Sequence, residues 1–205
     1  MTEDDAAARP SATALPLLQT ARLAIRPLAA SDEAACRRVL VPGDEDAFTH
    51  WLGWAVAAPA ALAELQQPPY GERGVVLAQS GELIGLVGLV PSLGPFAQLE
   101  GGPPGERWTP ELGLYWAIAP AHRRRGYAAE AAAALTRALF ATLNARRLIA
   151  TTERGNPASL AVMRRLGMRL LENPYREPQW LQVVGVLDAP AADGEQPALC
   201  HDPPA

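Results

Sequence analysis

The chain has 205 residues and a formal net charge of −4, and all 18 of its basic residues are arginine. Hydrophobic residues at 49% and charged residues at 20% are ordinary for one globular domain that needs neither disulfide nor metal to fold; the acidic balance argues against a general nucleic-acid binder, whose affinity rests on a basic face. Cys36 and Cys200 lie far apart, no Cys-x-x-Cys pair exists and only three histidines are present, so neither a zinc site nor redox dithiol chemistry is expected.

Residues 1–16 are rich in Ala, Asp, Glu and Pro and show no periodicity, and residues 189–205 combine prolines with acidic and small residues. Both ends read as flexible tails around a single domain over 17–188. No basic leader with an apolar core opens the chain and no apolar run reaches eighteen residues, so a cytoplasmic protein without a membrane partner is expected.

Leu23, Ile25 and Leu28 predict a first strand, and Ser31 or Asp32 caps a helix after it. A second helix is expected over 54–66, stopped by Pro68 and Pro69. Residues 74–79 and 83–90 flank the turn signal Ser80-Gly81 and read as a hairpin. The Pro- and Gly-rich stretch 91–110 reads as one long loop. From Glu111 to Ala119 the pattern alternates: Leu112, Leu114, Trp116 and Ile118 face one way, Glu111, Gly113, Tyr115 and Ala117 the other. A long, alanine-rich helix follows over 128–143, then a strand over 147–151, a helix over 157–166 begun by Pro157 and ended by Gly167, and a last strand over 180–187. Strands come first as a meander and then alternate with helices. The expected class is α/β (a mixed α+β sheet) with helices on both faces.

The segment richest in chemistry is Pro120 to Ala134. A turn between strand and helix points several backbone N–H groups into one small space, and the helix N-terminus adds partial positive charge. Gly126 lets the main chain approach a ligand without a Cβ in the way, Ala128 keeps the first helical turn slim, and Arg123, Arg124 and Arg125 surround the turn with charge. This is a phosphate or pyrophosphate seat. A Walker A loop needs a lysine that the chain lacks, and the dinucleotide fingerprint Gly-x-Gly-x-x-Gly is also missing.

Arg123-x-x-Gly126-x-Ala128 resembles the Arg/Gln-x-x-Gly-x-Gly/Ala signature of the Gcn5-related N-acetyltransferases (GNAT). The flanks resemble the ribosomal-protein N-terminal acetyltransferase branch. They are Arg22-Leu23-Ala24-Ile25-Arg26-Pro27, Gly85-Leu86-Val87-Gly88, Glu111-Leu112-Gly113-Leu114-Tyr115-Trp116, and Asn156-Pro157-Ala158-Ser159 followed by Leu166-Gly167-Met168. The likeness runs from about Ala21 to Leu187. It implies the GNAT-like acyl-CoA N-acyltransferase fold, with a splayed central sheet, and direct transfer of acetyl from acetyl-CoA to an amine. It also implies cofactor contacts: the diphosphate on the N–H groups of Arg123 to Ala128, including Tyr127, the pantetheine arm along Trp116, Ala117 and Ile118, and Asn156 touching the arm or the adenylate side. The acceptor is left open between a protein N-terminus and a small-molecule amine, as is the choice between monomer and homodimer. A non-catalytic acyl-CoA-binding module is the alternative.

The acceptor amine must be neutral to attack a thioester. At pH 7 that costs about 1 kcal/mol for an α-amine of pKa about 7.7–8.0 and nearly 5 for a lysine amine of pKa about 10.4. Glu111, on the Gly113/Tyr115 face, is the candidate base, directly or through water. Ser159 is implied by the resemblance as proton donor to the departing thiolate. Where many relatives carry a tyrosine for that role, this chain has Met163, which cannot donate. Trp51 and Trp54 are expected to pack in the core, and Glu130 to be a solvated helix residue.

Overall fold

The computed structural model describes residues 15–100 and 108–190. The expected tails and the second half of the 91–110 stretch lie largely outside the described residues, as does Cys200. Leu15, placed in the first tail by its sequence, is buried, and Pro16 accepts a hydrogen bond from Arg73 Nη2 at 2.7 Å.

One eight-stranded sheet organises the chain. Its strands are β1 (Leu18–Gln19), β2 (Leu23–Pro27), β3 (Gly71–Leu77), β4 (Leu83–Gly94), β5 (Thr109–Ile118), β6 (Arg147–Thr152), β7 (Arg169–Glu172) and β8 (Val183–Asp188), in the spatial order β1-β2-β3-β4-β5-β6-β8-β7. The first five form the expected antiparallel meander. The helices are α1 (Glu33–Leu40), α2 (Glu45–Glu64), α3 (Tyr127–Leu143) and α4 (Pro157–Arg165). The crossover helix α3 makes β5 and β6 parallel neighbours, as a βαβ connection must.

That parallel pair is joined at a single register position, Gly113 opposite Ile149. On its other edge β5 pairs with β4 over its whole length, from Thr109 to Ile118. Beyond Gly113, therefore, β5 runs about 17 Å, five residues at about 3.3 Å each, with no strand on its β6 side. The sheet is splayed there, and the opening is bounded by α3 at one end.

Alternation in β5 sorts its side chains as expected. Leu112, Leu114, Trp116 and Ile118 join the cluster beneath α3 and α4, which buries Leu23, Ile25, Val75, Ile84 and Leu135. Tyr115 and Ala117 join the cluster beneath α1 and α2, which buries Cys36, Phe48, Leu52 and Leu86. Each such fully buried aliphatic side chain contributes about 1.5–3 kcal/mol over an exposed one. A third, smaller cluster of Phe96, Ile149, Leu181, Val184 and Val186 lies under a short 3-10 segment, Phe96–Glu100.

Several elements differ from the sequence expectation. Helix α2 starts nine residues before Trp54, because Asp44 accepts a hydrogen bond from the Ala47 N–H at 2.9 Å and caps it, with Glu45 and Asp46 in the favoured first turn. The stretch 91–110 is not all loop. β4 continues through Pro91 to Gly94, since β3 ends its pairing at Gly71–Leu89 and a proline beyond that point removes no ladder bond on the β3 side. Gln179–Leu181 form a 3-10 turn before β8, and β7, a short edge strand, went unseen in the sequence.

Candidate active site

Gly126 is the pivot of the turn after β5. Its φ of +83° lies in the left-handed region that favours glycine, and it caps α3 without a side-chain partner. The carbonyl of Gly126 accepts from Glu130 N–H, and the first helical N–H groups before it are left over. Among the described residues, the N–H groups of Arg124, Arg125, Gly126, Tyr127, Ala128 and Ala129 have no hydrogen-bond partner. Arg123 does not share in this cradle. Its N–H donates to Pro120 O at 3.3 Å and its Nε to Ile118 O at 2.9 Å, so it braces the turn against the end of β5.

Two guanidinium groups that the sequence did not nominate close over the turn. A Cβ on Gly126 would meet Arg22 Nη2 at 3.4 Å and Arg165 Nη1 at 3.5 Å. Arg22 stands over the Tyr127 ring at 4.6 Å and donates through Nη1 to Arg125 O at 3.0 Å. Glu130 holds it there and is not the solvated residue expected. Its carboxylate accepts from Thr20 Oγ1 at 2.6 Å, Arg22 N at 3.2 Å and Arg22 Nε at 2.7 Å. Burial alone would raise the Glu130 carboxyl, but these hydrogen bonds together hold it below its ordinary value. The signal was present as Thr20-Ala21-Arg22 and Glu130, 108 and 110 residues apart, which no spacing rule connects. Main-chain donors, a helix N-terminus and two cations fit a diphosphate.

Trp116, Ala117 and Ile118 lie on the splayed part of β5, where an extended chain could lie alongside the strand. Asn156 caps α4, its Oδ1 accepting from Ser159 N–H at 3.1 Å, which leaves its amide NH2 for other partners. The Ser159 hydroxyl makes no hydrogen bond among the described residues. Met163 is fully buried against Gly185.

Toward the other end of β5, Glu111 is held by Arg147: Nε donates to Oε2 at 2.9 Å and Nη2 reaches Oε1. The Glu111 side chain is 9% exposed. It lines an open cavity of about 730 Å³ together with Tyr70, Ser92, Arg146 and Arg147, and a small void of about 30 Å³ beneath Phe96 and Leu99. Ser92 is the cross-strand neighbour of Glu111, and its Oγ fills the space a Cβ on Gly113 would take. A larger residue at 113 would have to displace Ser92 Oγ and press on Val90. Glu72, Gly88 and Tyr115 are aligned across β3, β4 and β5; burial, with the Glu72 charge adding, pushes the Tyr115 hydroxyl up to about 12, so it remains a donor. Trp51 is half-buried against Phe48, at 5.6 Å between rings, whereas Trp54 is 60% exposed and not core. Among the described residues no cluster of metal-ligating side chains occurs and no helix is long and apolar enough to cross a membrane.

A family of acetyltransferase (GNAT) domains matches residues 22–169, from the arginine over the Gly126 turn to the start of β7. The chain belongs to the GNAT acetyltransferase family. The fold of this GNAT protein resembles that of an acetyltransferase from Agrobacterium tumefaciens at 28% identity, over 85% of this chain and 95% of that one, with a TM-score of 0.61. Mycobacterium smegmatis RimJ, solved in complex with CoA-disulfide, is similar at 19% identity over 85% and 87% with a TM-score of 0.56. The ribosomal-protein-S5-alanine acetyltransferase of Vibrio fischeri is similar at 14% over 85% and 97% with a TM-score of 0.61. At those last two identities the likeness bears on the fold alone. No curated protein matches the chain.

Proposed function

We propose that this acetyl-CoA-dependent GNAT acetyltransferase acts on a primary amine, and that its acceptor is an α-amine at the N-terminus of a protein. The six adjacent unpaired N–H groups at 124–129 beneath two guanidinium groups support cofactor binding most directly. The motifs of the ribosomal-protein branch, and similar folds that include RimJ and the S5-alanine enzyme, support the choice of acceptor.

Bound acetyl-CoA supplies a thioester whose acyl carbon is open to an amine. The 124–129 amides, with Arg22 and Arg165, would hold its diphosphate, the free edge of β5 at Trp116, Ala117 and Ile118 would hold the arm, and the Asn156 amide would donate to it. As the N–C bond forms and the C–S bond breaks, Glu111 would take the amine proton and the Ser159 hydroxyl would pass a proton to the sulfur, regaining one from water. Glu111 accepts once from Arg147 at each of its oxygens, which leaves a lone pair on each for the amine proton. An α-amine, about 1 kcal/mol from its neutral form at pH 7, asks far less of it than a lysine at nearly 5.

CoA thiol release with a mixed panel of N-terminal peptides, lysine side-chain amines and small amines tests this directly. Release with α-amines, and an acetyl mass gain at that nitrogen, is the expected result. Acetyl-CoA binding without release over the whole panel would leave a non-catalytic acyl-CoA-binding module; release with lysine side-chain or small amines alone would move the acceptor to that class.

A further inference from the structure

The cavity beside Glu111 holds a cation, Arg146, that the transfer chemistry does not use. Among the described residues its ionisable lining is Glu111, Arg147, Arg146 and Tyr70. Glu111 and Arg147 form an ion pair. Arg146 immediately precedes Arg147, at the head of β6, and is exposed; its carbonyl accepts from Ala189 N–H at 2.9 Å, but its guanidinium has no carboxylate partner among the described residues. Ser92 and Tyr70 add hydroxyl groups and no charge. Among the described residues Arg146 is thus a cation without a carboxylate in a cavity that adjoins the candidate base.

An amine that carries its own carboxylate close by is drawn in and oriented, with the anion on Arg146 and the nitrogen toward Glu111. Arginine suits this task, because its planar fork grips a carboxylate through two parallel N–H bonds.

We infer that the acceptor is an anionic amine, whose carboxylate is received by Arg146 in the cavity beside Glu111. This rests on the acetyltransferase reading above and sharpens it by naming the substrate class. The same chemistry is offered by an N-terminal segment with an acidic second residue and by a free amino acid, and two acceptor pairs separate these sources. The first pair is a peptide beginning Ala-Asp and its Ala-Asn counterpart. The second is alanine and alaninamide.

The experiment measures CoA thiol release by the full chain with saturating acetyl-CoA, for both pairs and for a panel of neutral and dicationic amines. The expected result is at least a tenfold higher kcat/KM for the carboxylate member of one pair, through a lower KM. In Arg146→Glu that preference vanishes or reverses, while the calorimetric Kd for acetyl-CoA stays within twofold. Preference confined to the peptide pair identifies a protein N-terminus, and preference confined to the second pair a free amino acid. Equal use of carboxylate and amide members, preferential use of neutral or dicationic amines, or an unchanged ratio in Arg146→Glu would overturn the inference and leave acetyl transfer standing. No thiol release with any amine, despite acetyl-CoA binding, would remove acetyl transfer itself and the inference with it.

Discussion

The two ends of β5 are built in opposite ways. At its C-terminal end the seat after Ile118 is made of main chain: six N–H groups left over by a helix that begins at a left-handed glycine. At its N-terminal end the cavity around Glu111 is made of side chains, brought from β4, β6 and the segment before β3. Main-chain donors are the same in every residue, so the first end depends on backbone geometry and on the absence of a Cβ. The second depends on which side chains arrive. A cofactor that never changes suits the first kind of site, and an acceptor that differs among relatives suits the second.

Glu111→Gln tests the side-chain end and should have the largest effect. It removes the proposed proton acceptor but keeps the shape, and general base catalysis is typically worth 10²–10⁴ in rate. A kcat at least about 100-fold lower is expected, with calorimetric acetyl-CoA affinity within twofold. Arg147 is 40% exposed, so water can solvate it in the variant and the fold survives. An unchanged kcat from pH 6 to 9 would remove Glu111 from the chemistry.

Gly126→Asp tests the main-chain end. A residue with a Cβ at φ +83° costs about 1–2 kcal/mol, and the new carboxylate would face Arg22 and Arg165 at the place proposed for the diphosphate. Acetyl-CoA should bind about 50-fold more weakly in calorimetry, a change of about 2.3 kcal/mol. Gly126→Ala should lose less, because it adds strain and bulk without charge. Equal affinity of wild type and Gly126→Asp would show that the diphosphate lies elsewhere.

What could be read from the sequence follows the same division. The alternation of β5 and the glycine before an alanine-rich helix are local patterns, and they placed both strand β5 and the left-handed turn at Gly126. Arg22, Arg165 and Arg147 were missed as partners because each meets its target across 36 residues or more of chain, and sequence distance carries no signal for that. The extension of β4 through Pro91 was hidden because proline normally speaks against a strand; only the early end of β3 makes it tolerable there. Trp54 was misplaced for a related reason. The sequence shows that α2 has an apolar face but not how that face is turned, and Phe48, Leu52 and Ala55 take the buried positions.

Ser159→Ala should have a smaller effect than either. The hydroxyl stands in the first turn of α4 with no partner among the described residues, and a CoA thiolate leaves tolerably without help. A fall in kcat of about fivefold is expected, with acetyl-CoA affinity unchanged because Asn156 still caps the same N–H. A fall as large as that of Glu111→Gln would make proton delivery to sulfur, and not proton removal from nitrogen, the limiting step.

The smallest effect should come from Glu130→Gln, which probes how the main-chain end is held in place. The new amide keeps an oxygen for Thr20 Oγ1 but loses the charge that holds Arg22. Hydrogen bonds to a charged group are worth about 1.5–3 kcal/mol, and the half-exposure of Arg22 reduces that to about 1. A Tm about 3 °C lower at pH 7 is expected. The acetyl-CoA Kd should rise about threefold as Arg22 loosens over Gly126, a change of about 0.65 kcal/mol. The Glu130 carboxyl is held below its ordinary value of 4.5 in the folded protein, so its contribution is complete above that value and is lost as pH falls through the lower, folded one. Wild type and variant should therefore differ most in Tm near neutrality and converge as pH falls below the ordinary value of 4.5. A Tm gap that stays constant as the carboxyl is protonated would mean that Glu130 supports the turn by shape alone, and that Arg22 is kept over Gly126 by its stacking on Tyr127 and its bond to Arg125 O.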